Sequence, residues 1–147
     1  MPDAPGRRNL ALLLLRAREG VMAHFRAILT QHGLTEQQWR VLRALLETSP
    51  LEPRQICERC QLLSASATGV LARMEELGLV RRERMAEDQR RLRVSITPKA
   101  RALARRIAPL VDAQYGAVEQ RRIGRELLGE VYATLDRLLA RLDAPAP

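Results

Sequence analysis

The sequence predicts a mainly α-helical protein with one small β-hairpin. Three observations carry that expectation. Apolar residues recur at steps of three, four and seven through most of the chain, the spacing of one helix face. Only around residues 79–96 does the period fall to two, the alternation of a half-buried strand. Hydrophobic residues make up 46% of the 147 residues and aromatics only 3%, so Leu, Val, Ala and Ile must supply the core.

The elements follow in order. Met1–Gly6 is rich in Pro and small residues and reads as a frayed end. A helix is expected from about Arg8 to Gln31, with Ala11, Leu15, Met22, Phe25 and Leu29 as its apolar stripe and Gly33 closing it. Thr35 starts the next helix, with Gln38 three residues on as a capping box. Trp39, Leu42 and Leu46 form its inner face, and Pro50 ends it. A short helix opened by Pro53 in its first turn carries Ile56, Cys57 and Cys60. After a turn at Gln61–Leu63, Ser64 caps a further helix that turns Ala67, Val70, Leu71, Met74 and Leu77 inward, and Gly78 stops it.

Leu79 and Val80 then lead into a basic strand, Arg81–Arg84. A polar stretch, Met85–Arg90, separates it from a second strand in which Leu92, Val94 and Ile96 alternate with Arg91, Arg93 and Ser95. Thr97 caps and Pro98 opens a long helix to about Gln120, with Pro109 a candidate kink. A last helix spans about Gly124–Leu142, with Leu128, Val131, Leu135, Leu138 and Leu142 on one side, before an Ala-Pro tail read as disordered.

The formal net charge is +8, and all the side-chain cations but Lys99 are arginines. An excess of cations favours a polyanion, either nucleic acid or an anionic membrane surface. The longest apolar run, Leu10–Leu15, is far shorter than the ~20 residues of a membrane span. It follows Arg7 and Arg8 like the start of a signal peptide, but Arg16, Arg18 and Glu19 follow at once and no small-residue cleavage site does. The reading is a cytoplasmic protein.

The informative segment is Pro53–Ile96: short helix, tight turn, capped helix, glycine stop, hairpin. A helix-turn-helix places its second helix in the DNA major groove. That helix needs small or polar residues outward, and Ala65, Ser66, Gly69, Ala72 and Arg73 supply them. Ser66 and Arg73 can bond base edges or phosphate. The hairpin carries six arginines between Arg81 and Arg93 against Glu83, Glu87 and Asp88, which suits a wing laid along phosphates or a narrow minor groove. The fold expected is therefore a winged helix-turn-helix over residues 35–96, with dimerisation helices at 8–32 and 98–142.

The segments Leu34-Thr35-Glu36-Gln37-Gln38-Trp39-Arg40-Val41-Leu42, Gly69–Val80 and Asp88-Gln89-Arg90-Arg91 with Ile96-Thr97 resemble the MarR-type winged-helix regulators. The resemblance runs from Asn9 to Leu142. Ala17-Arg18-Glu19, Phe25-Arg26 and Thr35–Arg40 are most similar to regulators of homoprotocatechuate degradation operons. It implies a homodimeric, DNA-binding repressor with Asp88 bracing the wing and Arg90 in the minor groove. The DNA-contacting set expected is Ser64, Ser66, Thr68, Gly69, Arg73, Arg84, Asp88, Arg90 and Arg91. Two-fold symmetry implies an inverted-repeat operator with half-sites about one helical turn apart.

The resemblance also implies an aromatic carboxylate effector, bound between the first two helices and the winged domain. Arg16 matches by position an arginine that grips aromatic acids in similar regulators. Arg18 interrupts the apolar stripe of the first helix, and a half-buried arginine needs an anion, Glu19 or a ligand. Trp39 can stack on an aromatic ring. An Arg16/Arg18/Glu19 network that pins a dimer is the competing reading.

Cys57 and Cys60 form a C-x-x-C with two readings, small buried apolar residues or a redox-responsive pair. Zinc needs about four ligands, and the two histidines, His24 and His32, both lie on the first helix. The sequence contains no Gly-rich phosphate loop, no G-x-S-x-G and no His–carboxylate cluster, so no enzyme and no cofactor is expected. An RNA- or membrane-surface module lacks exposed aromatics for stacking on single strands.

Overall fold

The computed structural model describes residues 8–145, so the expectations for Met1–Gly6 and for the end of the Ala-Pro tail at Ala146 and Pro147 fall outside the described residues. The elements run α1 (Leu10–Gln31), α2 (Glu36–Glu47), α3 (Pro53–Cys60), α4 (Ser64–Glu76), β1 (Val80–Arg84), β2 (Leu92–Ile96), α5 (Pro98–Ala117), a π-helical segment (Val118–Ile123) and α6 (Arg125–Leu142). The chain divides into two compact units, one formed by residues 25–110 and the other by the described parts of 1–24 and 111–147.

The 25–110 unit contains the helix-turn-helix, the wing and nearly all of the core. Burial follows the expected helix faces in part. Trp39, Leu42, Ala67, Leu71 and Met74 are buried, while Leu46, Val70 and Leu77, expected inward, are half-buried, and Val41 and Leu45 complete the buried side of α2. Phe25 and Leu29 of α1, Val41, Leu42 and Leu45 of α2, Ile56 of α3, Leu71 and Met74 of α4, and Ala104 and Ile107 of α5 are all at most 3% exposed. Each large aliphatic side chain so buried stabilises the fold by about 1.5–3 kcal/mol before entropy is counted. The expected capping box at α2 is formed: Gln38 N–H donates to Thr35 Oγ1 at 3.2 Å, and Thr35 N–H donates to Gln38 Oε1 at 3.1 Å. Gly33 and Gly78 both have φ +71°, the left-handed conformation that ends a helix without a Cβ clash.

Two local differences from the sequence expectation occur in this unit. Ser64 is not the cap of α4 but its first helical residue; Leu63, in extended conformation at φ −71° and ψ 144°, holds the cap position. The cause lies in the preceding turn. Gln61 takes a left-handed conformation (φ 53°), and Leu62 is drawn into the core with its N–H on the Cys57 carbonyl at 3.0 Å. Leu63 is thereby left at the boundary. The second difference is a third strand position. Leu51 pairs with Val94 on the free edge of β2, its N–H on the Val94 carbonyl at 2.9 Å and the reverse bond at 2.7 Å. A single paired residue carries no period and so leaves no sign in the sequence.

β1 and β2 are antiparallel, with Val80 opposite Ile96, Arg82 opposite Val94 and Arg84 opposite Leu92. The alternation puts Val80, Val94 and Ile96 in the core and leaves Arg81, Glu83 and Arg93 exposed.

The other unit is helical and open. Val111 and Val118 are buried, but among the described residues α6 buries none. Leu12, Leu15, Leu127, Tyr132, Leu139 and Leu142 are each more than half exposed. The expected stripe of α1 is thus buried only at Phe25 and Leu29, while Ala11 and Leu15 face outward. The long helix also ends earlier than expected, at Ala117, where the backbone widens into the π-helical segment and turns at Gly124 (φ +84°). Among the described residues no helix is long and apolar enough to cross a membrane.

Candidate nucleic-acid interface

The short helix α3 and helix α4 meet at the tight turn 61–63. Helix α2 anchors that turn from behind: Arg40 Nη1 donates to the Cys60 carbonyl at 2.6 Å, and the Cys60 thiol donates to the Arg40 carbonyl at 3.4 Å. This reciprocal pair holds the C-terminus of α3, where carbonyls lack helical partners. It also gives Cys60 a structural partner. Cys60 is buried and burial pushes its thiol up, which suppresses the thiolate needed for redox chemistry. Cys57 is half-buried, and neither cysteine is in a disulfide. Among the described residues, no group of three His, Cys, Asp or Glu side chains could hold a metal ion.

The outward face of α4 carries small and polar residues. Ser64, Ala65, Thr68 and Gly69 are exposed and Ser66 is half-buried. A Cβ on Gly69 would meet nothing within 4 Å, so no packing need of this chain requires glycine there. Thr68 donates its hydroxyl to the Ser64 carbonyl at 3.1 Å. Arg73 is exposed and pairs with Glu76 one turn on at 3.0 Å, a surface pair of little energetic weight.

The wing tip is built around Asp88. Its Oδ1 accepts the Arg90 backbone N–H at 3.0 Å and the Arg90 Nε at 3.4 Å. Its carbonyl accepts the Arg91 N–H at 3.0 Å, and Arg91's own carbonyl closes on Met85 N–H at 3.0 Å. Such an Asx-type turn orders a loop that lacks any core. Arg90 then projects with its side chain 91% exposed. Arg84 lies across the hairpin, its Nη1 donating to the Arg90 carbonyl at 3.4 Å. Arg91 differs from these. Its Nε donates to Glu52 Oε1 at 2.6 Å, so it leans toward α3.

Glu52, Glu75 and Arg82 were not singled out from sequence. Glu75 accepts both the Arg82 backbone N–H (3.1 Å) and its guanidinium (3.0 Å). Glu52 immediately precedes Pro53 at the start of α3, a position whose chemistry is visible in sequence; its partner, 39 residues away, is not. Between α3, α4 and the hairpin lies a cleft of about 490 Å³, with Cys57, Thr68, Leu71, Arg82 and Leu92 among its lining.

The residues expected to hold an effector fall in both units. Arg16, Arg18 and Glu19 are on α1 in the open unit; Arg16 is exposed, and Arg18 pairs with Glu19 at 3.2 Å, each side chain 44% exposed. Beside Gly20 a Cβ would meet nothing within 4 Å. Trp39 belongs to the 25–110 unit, is buried, and has the Arg43 guanidinium 5.8 Å from its ring centroid, a cation–π contact.

Comparison with known proteins adds to this geometry. The profile of the MarR family matches residues 32–91. The HTH-type transcriptional regulator FarR of Neisseria gonorrhoeae is 36% identical over 94% of this chain and 96% of its own. The homoprotocatechuate degradative operon repressor of Escherichia coli is 40% identical over 76% of this chain and 75% of its own. Among solved structures, NadR in complex with 4-hydroxyphenylacetate is 36% identical, covers 97% of each chain and superposes with a TM-score of 0.72.

Proposed function

Since the chain belongs to the MarR family of winged helix-turn-helix transcriptional regulators, we propose that it is a homodimeric repressor that binds an inverted-repeat operator and leaves it when a small aromatic carboxylate binds. The observation that carries the DNA reading is the pairing of a face of small and polar residues on α4 with a wing tip that Asp88 orders and Arg90 crowns. In this reading Ser64, Ser66, Thr68, Gly69 and Arg73 face the major groove. Arg84 and Arg90 meet phosphates or the minor groove, and Asp88 shapes the tip.

Dimerisation is supported by the exposed apolar residues of α1 and α6, which a second copy would cover. The effector reading is supported by two relatives. One is named for repression of a homoprotocatechuate operon, and another was solved with 4-hydroxyphenylacetate. Arg16 is assigned to the carboxylate, with Arg18 and Glu19 adjoining on α1. Ligand and DNA then oppose each other reciprocally, because each favours a different conformation.

The test is selection of a duplex from a random pool, followed by titration of that complex with hydroxyphenylacetates, dihydroxyphenylacetate, hydroxybenzoates and hydroxynicotinates. The reading expects a palindromic winner and release by at least one acid. If no duplex is preferred the regulator reading fails. If Arg16→Ala responds to the acid as wild type does, the effector site is elsewhere.

A further inference from the structure

We propose that Glu52 and Glu75 are positioning residues that lock the wing to the two helices of the helix-turn-helix, so that these acids sharpen operator discrimination although they sit beside a DNA-binding surface. The inference rests on the reading of α4 and the wing as the DNA-contacting elements. Simple electrostatics predicts the opposite, since a carboxylate near a polyanion repels it and removing the charge should tighten binding.

The geometry favours positioning. β1 is tied to α4 at one point by two bonds, both from Arg82 to the Glu75 carboxylate. β2 is tied to the segment before α3 at three heights: Ile96 N–H to Ser49 Oγ (3.2 Å), the Leu51–Val94 backbone pair, and Arg91 to Glu52 (2.6 Å). The two acids therefore fasten opposite strands of the hairpin to opposite helices. The wing cannot swing from either helix without breaking a charged hydrogen bond. Both carboxyls are held below their usual range, Glu52 by Arg91 and Glu75 by Arg82.

These are exposed pairs, so each contributes little to folding stability. Their effect belongs in recognition, where a helix in one groove and a wing tip in the next must keep a fixed separation. Arg91, expected from sequence to touch DNA, takes a different role here: its guanidinium holds the tip end of the hairpin to Glu52 at the start of α3.

The experiment compares wild type, Glu75→Gln, Glu52→Ser, Arg91→Gln and the Glu52→Ser/Arg91→Gln double variant. Each is titrated against the duplex that wild type selects and against a scrambled duplex of equal length. Serine at 52 keeps a helix-capping oxygen, so Glu52→Ser carries the test if Glu75→Gln folds poorly, and thermal unfolding checks both. The expected result is a loss of selected-over-scrambled preference of about tenfold in each single variant, a size common for coupled contacting residues. Scrambled-duplex affinity stays equal or rises in the two acid variants, and the double variant is no worse than either single. Tighter binding of both duplexes by the acid variants overturns the proposal, as does an Arg91→Gln loss that adds to the effect of Glu52→Ser. Wild-type preference retained by every variant overturns the positioning role alone. A wild type with no preference overturns the function reading on which it rests.

Discussion

Residues 25–110 and the helices formed by the described parts of 1–24 and 111–147 are built from the same residue types, and they treat them in opposite ways. In the first, Leu42, Leu45 and Ile56 are wholly buried. In the second, Leu127, Leu139 and Leu142 are 52–69% exposed on a helix with as regular an apolar repeat. The contrast teaches that periodicity defines an apolar face but not what covers it. A face closed by its own chain is a core; one left open on three or four turns is an interface awaiting its partner. Under the proposed function the first unit is the part that reads DNA, and the second the part that pairs.

Four substitutions and one titration sharpen or break that division, in order of effect. Leu42→Ala removes a fully buried side chain and should cost about 2–5 kcal/mol of unfolding free energy in denaturant titration, with loss of DNA binding following from loss of fold. Val131→Arg, on an exposed part of α6, should shift sedimentation from dimer to monomer, because an unpaired charge in an apolar interface costs several kcal/mol. Its far-UV spectrum should stay near wild type. If Val131→Arg remains dimeric, α6 is not the pairing surface.

Within the reading unit the effects are smaller. Arg90→Ala should weaken operator binding by about 1–3 kcal/mol and lower the salt slope, as expected for a lost backbone or minor-groove contact. Arg73→Ala should instead relax sequence preference, seen in a repeat selection from a random pool; unchanged selection would show that it reads no base. The smallest effect is one of pH. Glu75 is held below its ordinary value of 4.5 by the Arg82 guanidinium, so its contribution is complete above that value and is lost as pH falls through the lowered one. The stability difference between wild type and Glu75→Gln should stay constant from pH 8 down to about 4.5 and close below it. A difference that varies between pH 6 and 8 points to another group.

Much of this was legible in the sequence, for reasons that also mark where legibility ended. The helix faces, the Thr35/Gln38 box, the glycine stops and the alternation of β2 are set by residues near one another, and local chemistry decides them. The face of α4 followed in part from the same periodicity: Ala67, Leu71 and Met74 went inward and Ala65, Gly69 and Arg73 outward. Ser66 and Ala72, expected outward, and Val70 and Leu77, expected inward, are half-buried. The bracing role of Asp88 was expected only from the resemblance to the family's wing signature; in the structure its carboxylate accepts the Arg90 N–H two residues on. What escaped spans long separations. The Arg91–Glu52 pair and the Leu51–Val94 bridge join residues about forty apart, and Arg40 meets Cys60 across twenty. No spacing rule encodes such pairs. The Ser64 cap was misplaced by one residue because the left-handed turn at Gln61 and the burial of Leu62 fixed the phase of α4 from outside it. The π-helical segment at 118–123 left no trace in a period that differs little from an α-helix.

The division between a reading unit and a pairing unit meets its most direct test in the stoichiometry and salt response of the complex with the selected duplex. Sedimentation of protein with a labelled duplex, over a range of salt, measures both together. Two chains should bind one inverted repeat with half-sites about one helical turn apart, and affinity should fall steeply with salt as arginines displace counterions. One chain per duplex, a flat salt response, or equal affinity for the scrambled duplex would contradict it.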